Sequence, residues 1–529
     1  MTAILDHNGQ AFKRVGGSLP TPYEAGGRGR RLRGWMAPGS GPNDAATGNA
    51  QTMRNRSRQQ YRNNGYAQNG TNKLVSNIIG TGIKPRSTAD DKDWQRQAQM
   101  AYEQWGQECD PEGVLGIYGL QAMGCNAWLQ GGDAFIRRRP RRESDGLSVP
   151  LQIQVMEAEM CPVHYNGRNP RNRNRIRAGI EYNAIGQRAA YWFYKSHPGD
   201  MWAGTIDGQQ LTRVPARDVI HLFDPVRPGQ SRGIVKMAPV LLRMYDVDKF
   251  DDATLLRQQI ANLFAAFVTN KDPENGPPVP HTLAGDEPES GHDDRDPAPI
   301  EDLSMEPAII QELLEGQDIK FASPPDAGST YGDFMRQQLH VVAAGYEVPY
   351  EMLTGDFSKI NDRLARVILN QFYRRVQQMQ QHIVVHQMCR RIWADWFLPA
   401  AILSGRLDAP GFAKNPAAYT RAKHIPQAWA YINPVQDVQA DRESVRAGFK
   451  TRGDVISERS SEDIDDTDAR WADEAETSDD LGLRYDSDPR WTDNSGKRLD
   501  GAKLDAEQAD GVRERKNQTT PLRTPEPST

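Results

Sequence analysis

Residues Glu347–Val367 read EVPYEMLTGDFSKINDRLARV. An apolar patch leads into a Thr-Gly-Asp turn, one lysine follows, and a long arginine-studded helix begins. Gly355 permits a tight turn, and Ser358 or Asn361 can supply the side-chain oxygen that caps a helix. A Gly-Asp-Phe-Ser turn beside basic residues has two readings. It is an active-site loop, or it leans on a nucleic acid without reacting with it.

Helical patterns flank it. Downstream, a helix from Asn361 to Leu398 is predicted, with Leu364, Val367, Ile368, Phe372, Val376, Met379 and Ile383 as its apolar stripe. Arg363, Arg366, Arg374, Arg375, Arg390 and Arg391 lie largely off that stripe. Upstream, a helix over 330–346 follows a Pro-, Gly- and acid-rich stretch, 271–302, that reads as exposed loop. Before it comes the longest apolar pattern in the chain. From Ile234 to Phe267, three- and four-residue spacing of residues such as Val235, Leu242, Tyr245, Phe250, Leu256 and Phe267 predicts a helix roughly 40–50 Å long.

The first half changes period. Helices are expected over 51–78, 91–108 and 114–130, the first stopped by Gly80 and Gly82. DAFIRRRP, VPLQIQVMEAEM, AGIEYNA, AAYWFYKS and DVIHLFD then alternate as strands, with Asn183–Gly186 as a turn. Residues 1–50 lack periodicity and read as a flexible basic arm.

In all, 529 residues can bury a sizeable core in more than one domain. A mean hydropathy of -0.73 suggests a folded middle with polar ends. The net charge of -5 hides an asymmetry. GRGRRLRGW, RNRSRQQYR and RRRPRR are basic, and Glu462–Asp488 is acidic, which points to a polyanion or to other subunits. Arg54, Arg56, Arg58, Arg363 and Arg366 are the candidate phosphate or inter-subunit contacts. Cys109, Cys125, Cys161 and Cys389 form no CxxC pair and read as reduced thiols of a cytosolic protein without a signal peptide. No apolar run approaches the roughly 20 residues that cross a bilayer.

No catalytic or metal motif emerges. His382 and His386 are spaced like zinc ligands, but Ile383 stands where a zincin has its glutamate, so polar helix positions are the favoured reading. GTGIKPR follows a helix, not a strand, and is better read as a helix end than as a phosphate loop. HDDRD (His292–Asp296) is better read as solvated loop than as a cation site. No metal, cofactor or catalytic residue is assigned.

Six ordered segments resemble the lambda-type portal proteins of tailed bacteriophages. They are NGYAQNGTNKLVSNIIGTGIKP, QGGDAFIRRRP with VPLQIQVMEAEM, AGIEYNAIGQRAAYW, DVIHLFDPVRPGQSRGIVKMAPVL, EVPYEMLTGDFSKINDRLAR and IPQAWAYINPVQDVQADRESVRAGFKTRGDVISERSSEDIDD. The resemblance covers roughly residues 50–470. One departure lies in the turn, where the family often has an Asn-Tyr-Ser-Ser-like run and this chain has Asn361-Asp362-Arg363.

The resemblance implies an α+β portal fold and no enzyme. It implies a ring, with twelve copies in the family, at one vertex of the virion capsid, made in the host bacterial cytoplasm and not in a membrane. Double-stranded DNA passes through without sequence-specific recognition. The further partners are the terminase large subunit, the major capsid or scaffold protein and a head-tail connector protein, and the ring nucleates head assembly.

The implied parts are a basic arm at 1–50, a wing at 51–232, a stem helix at 233–270, a clip at 271–328 and a second stem helix at 329–350. A channel loop at 351–362, wing and crown helices at 363–440, and crown with a polar, largely disordered tail at 441–529 complete the chain. Thr354, Gly355, Asp356, Phe357, Ser358, Lys359, Ile360 and Asn361 then form the channel loop. One lysine per subunit suits sliding, because many tight phosphate contacts would hold DNA still. The rival readings are a DNA-binding or scaffold protein of the head that forms no ring, and a head maturation protease.

Overall fold

The computed structural model describes residues 34, 37–200, 210–263, 267–270, 317–320, 331–429, 434–460, 462–485, 488, 490 and 492. The arginines of GRGRRLRGW, the acid-rich 271–302 including HDDRD, and the tail beyond 492 lie outside them.

Order begins within the segment read as a flexible arm. Helix α1 (Pro42–Thr47) carries proline in its first turn, where no backbone N–H is needed. Asn43 docks it by accepting from Ser231 N at 2.7 Å and donating to Gly229 O at 3.1 Å. The helix predicted over 51–78 is two helices, α2 (Ala50–Asn63) and α3 (Gly65–Ile78). They part at Asn64, whose backbone is extended and whose side chain caps α3 by accepting from Ala67 N. Gly80, at φ 57°, ends α3. Strand β1 (Lys84–Ser87) follows and pairs with a strand near residue 425.

Helix α4 (Lys92–Glu108) is capped by Asp91 and buries Trp94, Tyr102 and Trp105. Tyr102 meets Trp105, Trp393 and Phe397 at ring distances of 5.5, 5.3 and 5.0 Å, the aromatic centre of the main core. Helix α5 (Ile117–Gly131) ends at Gly132, φ 82°.

Two antiparallel sheets come next. β2 (Asp133–Pro140) is flanked by β3 (Leu151–Glu157) and β9 (Val219–Phe223). Ile136 faces Val155 on one side and Ile220 on the other. The second sheet runs β4 (Gly167–Arg168), β5 (Arg175–Arg177), β6 (Ile180–Tyr182), β7 (Arg188–Tyr194) and β8 (Leu211–Pro215) in order. Phe135, Met156, Ile180, Tyr191, Phe193 and Val219 form the core between them.

Asp133 joins these layers. Its buried carboxylate accepts from Arg232 Nε at 2.7 Å, Arg54 Nη2 at 3.2 Å and Gly233 N at 2.5 Å. Arg232 is fully buried and donates onward to the carbonyls of Cys161, Ala178 and Ala158. Arg188 donates toward Nδ1 of His221 at 3.1 Å, so His221 is neutral and gives its Nε2 proton to Asp133 at 2.9 Å. Burial pushes His221 down to about 4, although Asp133 pulls the other way. Burial also pushes His424 down to about 4. Burial alone would raise the Asp133 carboxyl, but Arg232, His221 and Arg54 outweigh it and hold it well below the ordinary range.

A pH dependence follows. An unfolded histidine titrates near ~6.5. Between that value and about 4 the unfolded chain binds protons that the folded His221 and His424 refuse, so stability falls as pH falls through this window. The Asp133 contribution holds throughout it and is lost only below about 3.9, the unfolded carboxyl value. Urea unfolding at pH 7 and pH 5 is expected to differ by up to about 2 kcal/mol per histidine. His221→Gln, which keeps a donor for Asp133, should remove about half of the dependence and leave the His424 share. A midpoint unmoved by pH would overturn the assignment.

Helix α6 (Leu241–Leu263) has 23 residues, about 35 Å at 1.5 Å per residue. It starts seven residues after the predicted Ile234. Pro239 disfavours helix for the residue before it, and turns occupy 236–240. Phe267 belongs to β10 (Phe267–Asn270), paired with β11 (Gln317–Lys320) and not with the helix. Helix α7 (Tyr331–Tyr346) returns beside α6, with Phe250 against Phe334 at 4.9 Å.

Helix α8 (Tyr350–Thr354) leads to α9 (Asp362–Met379). The helical path continues through wide π turns at Gln380–Cys389 and Ile392–Phe397 into α10 (Leu398–Leu403), five residues beyond the predicted end. Phe372, Val376, Met379 and Ile383 are buried, as the stripe predicts, but Leu364 and Val367 are about half exposed, at 48% and 51%. Short α11 (Ala417–Thr420) precedes β12 (Ala422–Ile425), the partner of β1. Helices α12 (Pro434–Arg446), α13 (Arg452–Ser460) and α14 (Ile464–Asp480) close the described chain. The acidic α14 pairs internally, Asp466 with Arg86 and Asp465 with Lys92. All four cysteines are buried and free. Among the described residues no helix is long and apolar enough to cross a membrane.

Candidate DNA-contacting turn

The turn between α8 and α9 is built from local chemistry. Thr354 Oγ1 donates to Tyr350 O at 2.8 Å within α8. Gly355 ends that helix at φ 76°, its N–H donating to Glu351 O at 2.8 Å. Open space surrounds its absent Cβ, so backbone conformation and not crowding calls for glycine. Asp356 then accepts from Ser358 Oγ at 2.6 Å, from Ser358 N at 3.1 Å and from Arg336 Nη2 of α7 at 2.8 Å. Those donors, Ser358 first, hold its carboxyl well below the ordinary range.

Asn361 is the helix cap. Its side chain accepts from Leu364 N at 2.9 Å. Ser358, the alternative cap, serves Asp356 instead. Between these anchors Phe357 is 60% exposed, Lys359 is exposed and Ile360 is half-buried. Among the described residues no acid pairs with Lys359, and Asp356 is committed to Ser358 and Arg336. The Asp362 side chain lies outside the described residues.

Glu347, which sequence reasoning did not single out, sits at the α7–α8 junction ahead of the turn. It stands at φ 60°, rare for a non-glycine residue. Its carboxylate accepts from Lys236 at 2.7 Å and Arg375 Nε at 2.6 Å. Burial alone would raise it, but those two cations outweigh burial and keep it below the ordinary range. The segment before α6, the α7–α8 junction and α9 are thereby tied together.

The candidate arginines separate. Arg54, read as a phosphate or inter-subunit contact, is 2% exposed and bonded to Gly131 O and Asp133, so its charge is used inside the subunit. Arg58 grips Glu159 with two hydrogen bonds, at 2.6 and 2.8 Å, and also pairs with Glu157. Arg56 and Arg363 are exposed. Arg366 is half-buried and lines a cavity of about 760 Å³ with Arg374, Lys423 and Trp429. Arg375 serves Glu347 and Asp224, as an internal role would have it.

A family model described as phage portal protein, lambda family, matches residues 28–380, which include the whole turn. The chain belongs to the lambda family of phage portal proteins. Among its relatives is a probable portal protein of Halomonas phage phiHAP-1, 24% identical over 434 residues, 79% of this chain and 78% of the relative. The portal protein B of Escherichia phage lambda is 21% identical over 489 residues, 84% of this chain and 89% of that one. A chain from the neck of a native GTA particle, a neck treated with C12 symmetry, has a TM-score of 0.42 and 13% identity over 80% of this chain and 95% of its own. As a member of this family the chain is a structural protein of the phage head, not an enzyme, with the mixed helix-and-sheet portal fold.

Proposed function

We propose that copies of this portal protein close into a ring of about a dozen at one capsid vertex, a conduit through which duplex DNA enters and leaves. Helices α6 and α7 are the stem around the channel, and Thr354–Asn361 projects into it. Residues 51–232 are the wing, 271–328 the clip that meets the terminase large subunit and then the head-tail connector, and 363–440 with the helices beyond it wing and crown. The ring also nucleates the head through the major capsid or scaffold protein.

One observation carries this reading. In the single subunit Leu242, Tyr245, Leu255 and Leu256 of α6 stand exposed, as do Phe334 and Val341 of α7. So much apolar surface on two adjacent helices calls for a cover, and neighbouring copies supply it. The mass of the purified particle, with a low-resolution image, tests the proposal. A ring with an axial hole is expected from the parent chain. Leu256→Asp should yield folded subunits that do not close, because the site is exposed within one subunit and covered between two. A parent chain that stays monomeric or dimeric would sink the proposal.

A further inference from the structure

Between Glu159 and Glu181 the chain has five arginines and no acid, and Asn166–Gly179 reads NGRNPRNRNRIRAG. The fold sends the two recurring residue types in opposite directions. Asn169 is buried, Asn174 half-buried and Asn172 at the surface, and the amides of all three donate to the carboxylate of Glu181, at 2.9 Å from Asn169, 2.8 Å from Asn174 and 2.7 Å from Asn172. Arg213 adds Nε at 2.8 Å and Nη2 at 3.1 Å, and Trp192 adds Nε1 at 3.3 Å. The Glu181 side chain is fully buried. Burial alone would raise it, but Arg213 and the three asparagines bring it down to about 2. Arg168, Arg171, Arg173 and Arg175 are left facing solvent, and no carboxylate among the described residues pairs with them. Arg173 is held at φ 58°, which L residues rarely adopt. A charged group buried under six donors is an expensive way to shape a surface loop. Its product is a rigid hairpin with four free guanidinium groups.

We propose that the β4–β5 hairpin is a second contact site for duplex DNA, outside the channel, that binds phosphates and does not read bases. Guanidinium forks match phosphate bidentately. Protein–protein hot spots set arginine beside buried aromatic anchors, and the hairpin exposes no large apolar side chain, since Ile176 is buried, so its exposed chemistry is that of a phosphate-binding surface. Duplex DNA carries a charge about every 1.7 Å of axis, dense enough to engage all four arginines of one subunit.

The test uses purified full-length particles and covalently closed circular duplex DNA, which has no end to thread through a channel. The parent is expected to bind it in a salt-dependent way. In Arg168→Gln/Arg171→Gln/Arg173→Gln/Arg175→Gln particles, the slope of log K against log salt should fall by about 0.9 for each phosphate no longer neutralised, with affinity at least about tenfold weaker at low salt. Arg171→Gln alone should lower the slope by about 0.9, a readout that holds if the fourfold variant fails to assemble. Parent particles that ignore circular DNA, or variants that bind it unchanged, would overturn the proposal. So would polyglutamate that binds the parent hairpin as tightly as DNA does, since that assigns an acidic protein. Each of these outcomes leaves ring closure and channel passage standing, because the parent particle's mass and its image measure those separately.

Discussion

Asp133→Asn is expected to lower the stability of the subunit by about 3–5 kcal/mol, the cost of leaving a buried charge without its partner. The substitution preserves shape and removes only the negative charge. Arg232 is wholly enclosed, and its Nε and the Nη2 of Arg54 converge on one oxygen of Asp133. An asparagine there either turns its own NH2 toward these donors or gives up the acceptor that serves His221 and Gly233. The network links α2, β2, β9 and the approach to α6, so the damage should spread across both sheets. Lys92→Gln, which removes one partner of an exposed pair with Asp465, should fall within the small effect of surface ion pairs. Urea unfolding and protease susceptibility of the two variants and the parent would check this. An Asp133→Asn chain as resistant as the parent would show that the cluster is not an electrostatic keystone.

That network also marks where the sequence stops being legible. DAFIRRRP alternates well enough to read as a strand, but nothing in it announces that Asp133 is the acceptor for an arginine 79 residues earlier. Arg54 looked like its exposed neighbour Arg56 because helical spacing does not state a partner. β1 was missed because KPRS shows no alternation and its partner AKHI lies near the other end of the chain. The long helix was misplaced at its start by the apolar Val235, which is buried just ahead of the turns that lead into α6. The turn after α8 was readable because its determinants are local. A glycine at positive φ, an Asn cap and a helical stripe each act within a few residues. Even so, the stripe ran past the core. Leu364 and Val367 keep the period, yet among the described residues they stay about half exposed. The alternating arginines and asparagines of 171–175 were a pattern in plain view, with meaning only once Glu181 was seen beneath the asparagines.

Deleting Phe357–Ile360 and bridging the gap with two glycines is expected to leave ring assembly intact and to stop DNA packaging before completion. The segment removed contributes little to the fold. Phe357 and Lys359 face solvent; the deletion takes away the two bonds from Ser358 to Asp356, but the Gly355 helix end, the Asp356–Arg336 pair and the Asn361 cap stay. Retaining Asp356 keeps its pairing with Arg336, and retaining Asn361 keeps the cap of α9. Lys359→Ala alone should have a milder effect, because one exposed phosphate contact is weak and screened by salt. The contrast is with Val376→Asp. Leu364 cannot serve as the core position, since it is 48% exposed, whereas Val376 is fully buried on the same helix. A charge there has no partner and should prevent folding. Particle mass and packaged DNA length, measured on both variants, separate the cases. If the loop deletion loses rings as completely as Val376→Asp does, the turn is packed structure between subunits. If it forms rings and fills heads to the normal length, the turn plays no part in moving or holding DNA. Only rings with incompletely filled or leaking heads place its exposed side chains on the path of the DNA.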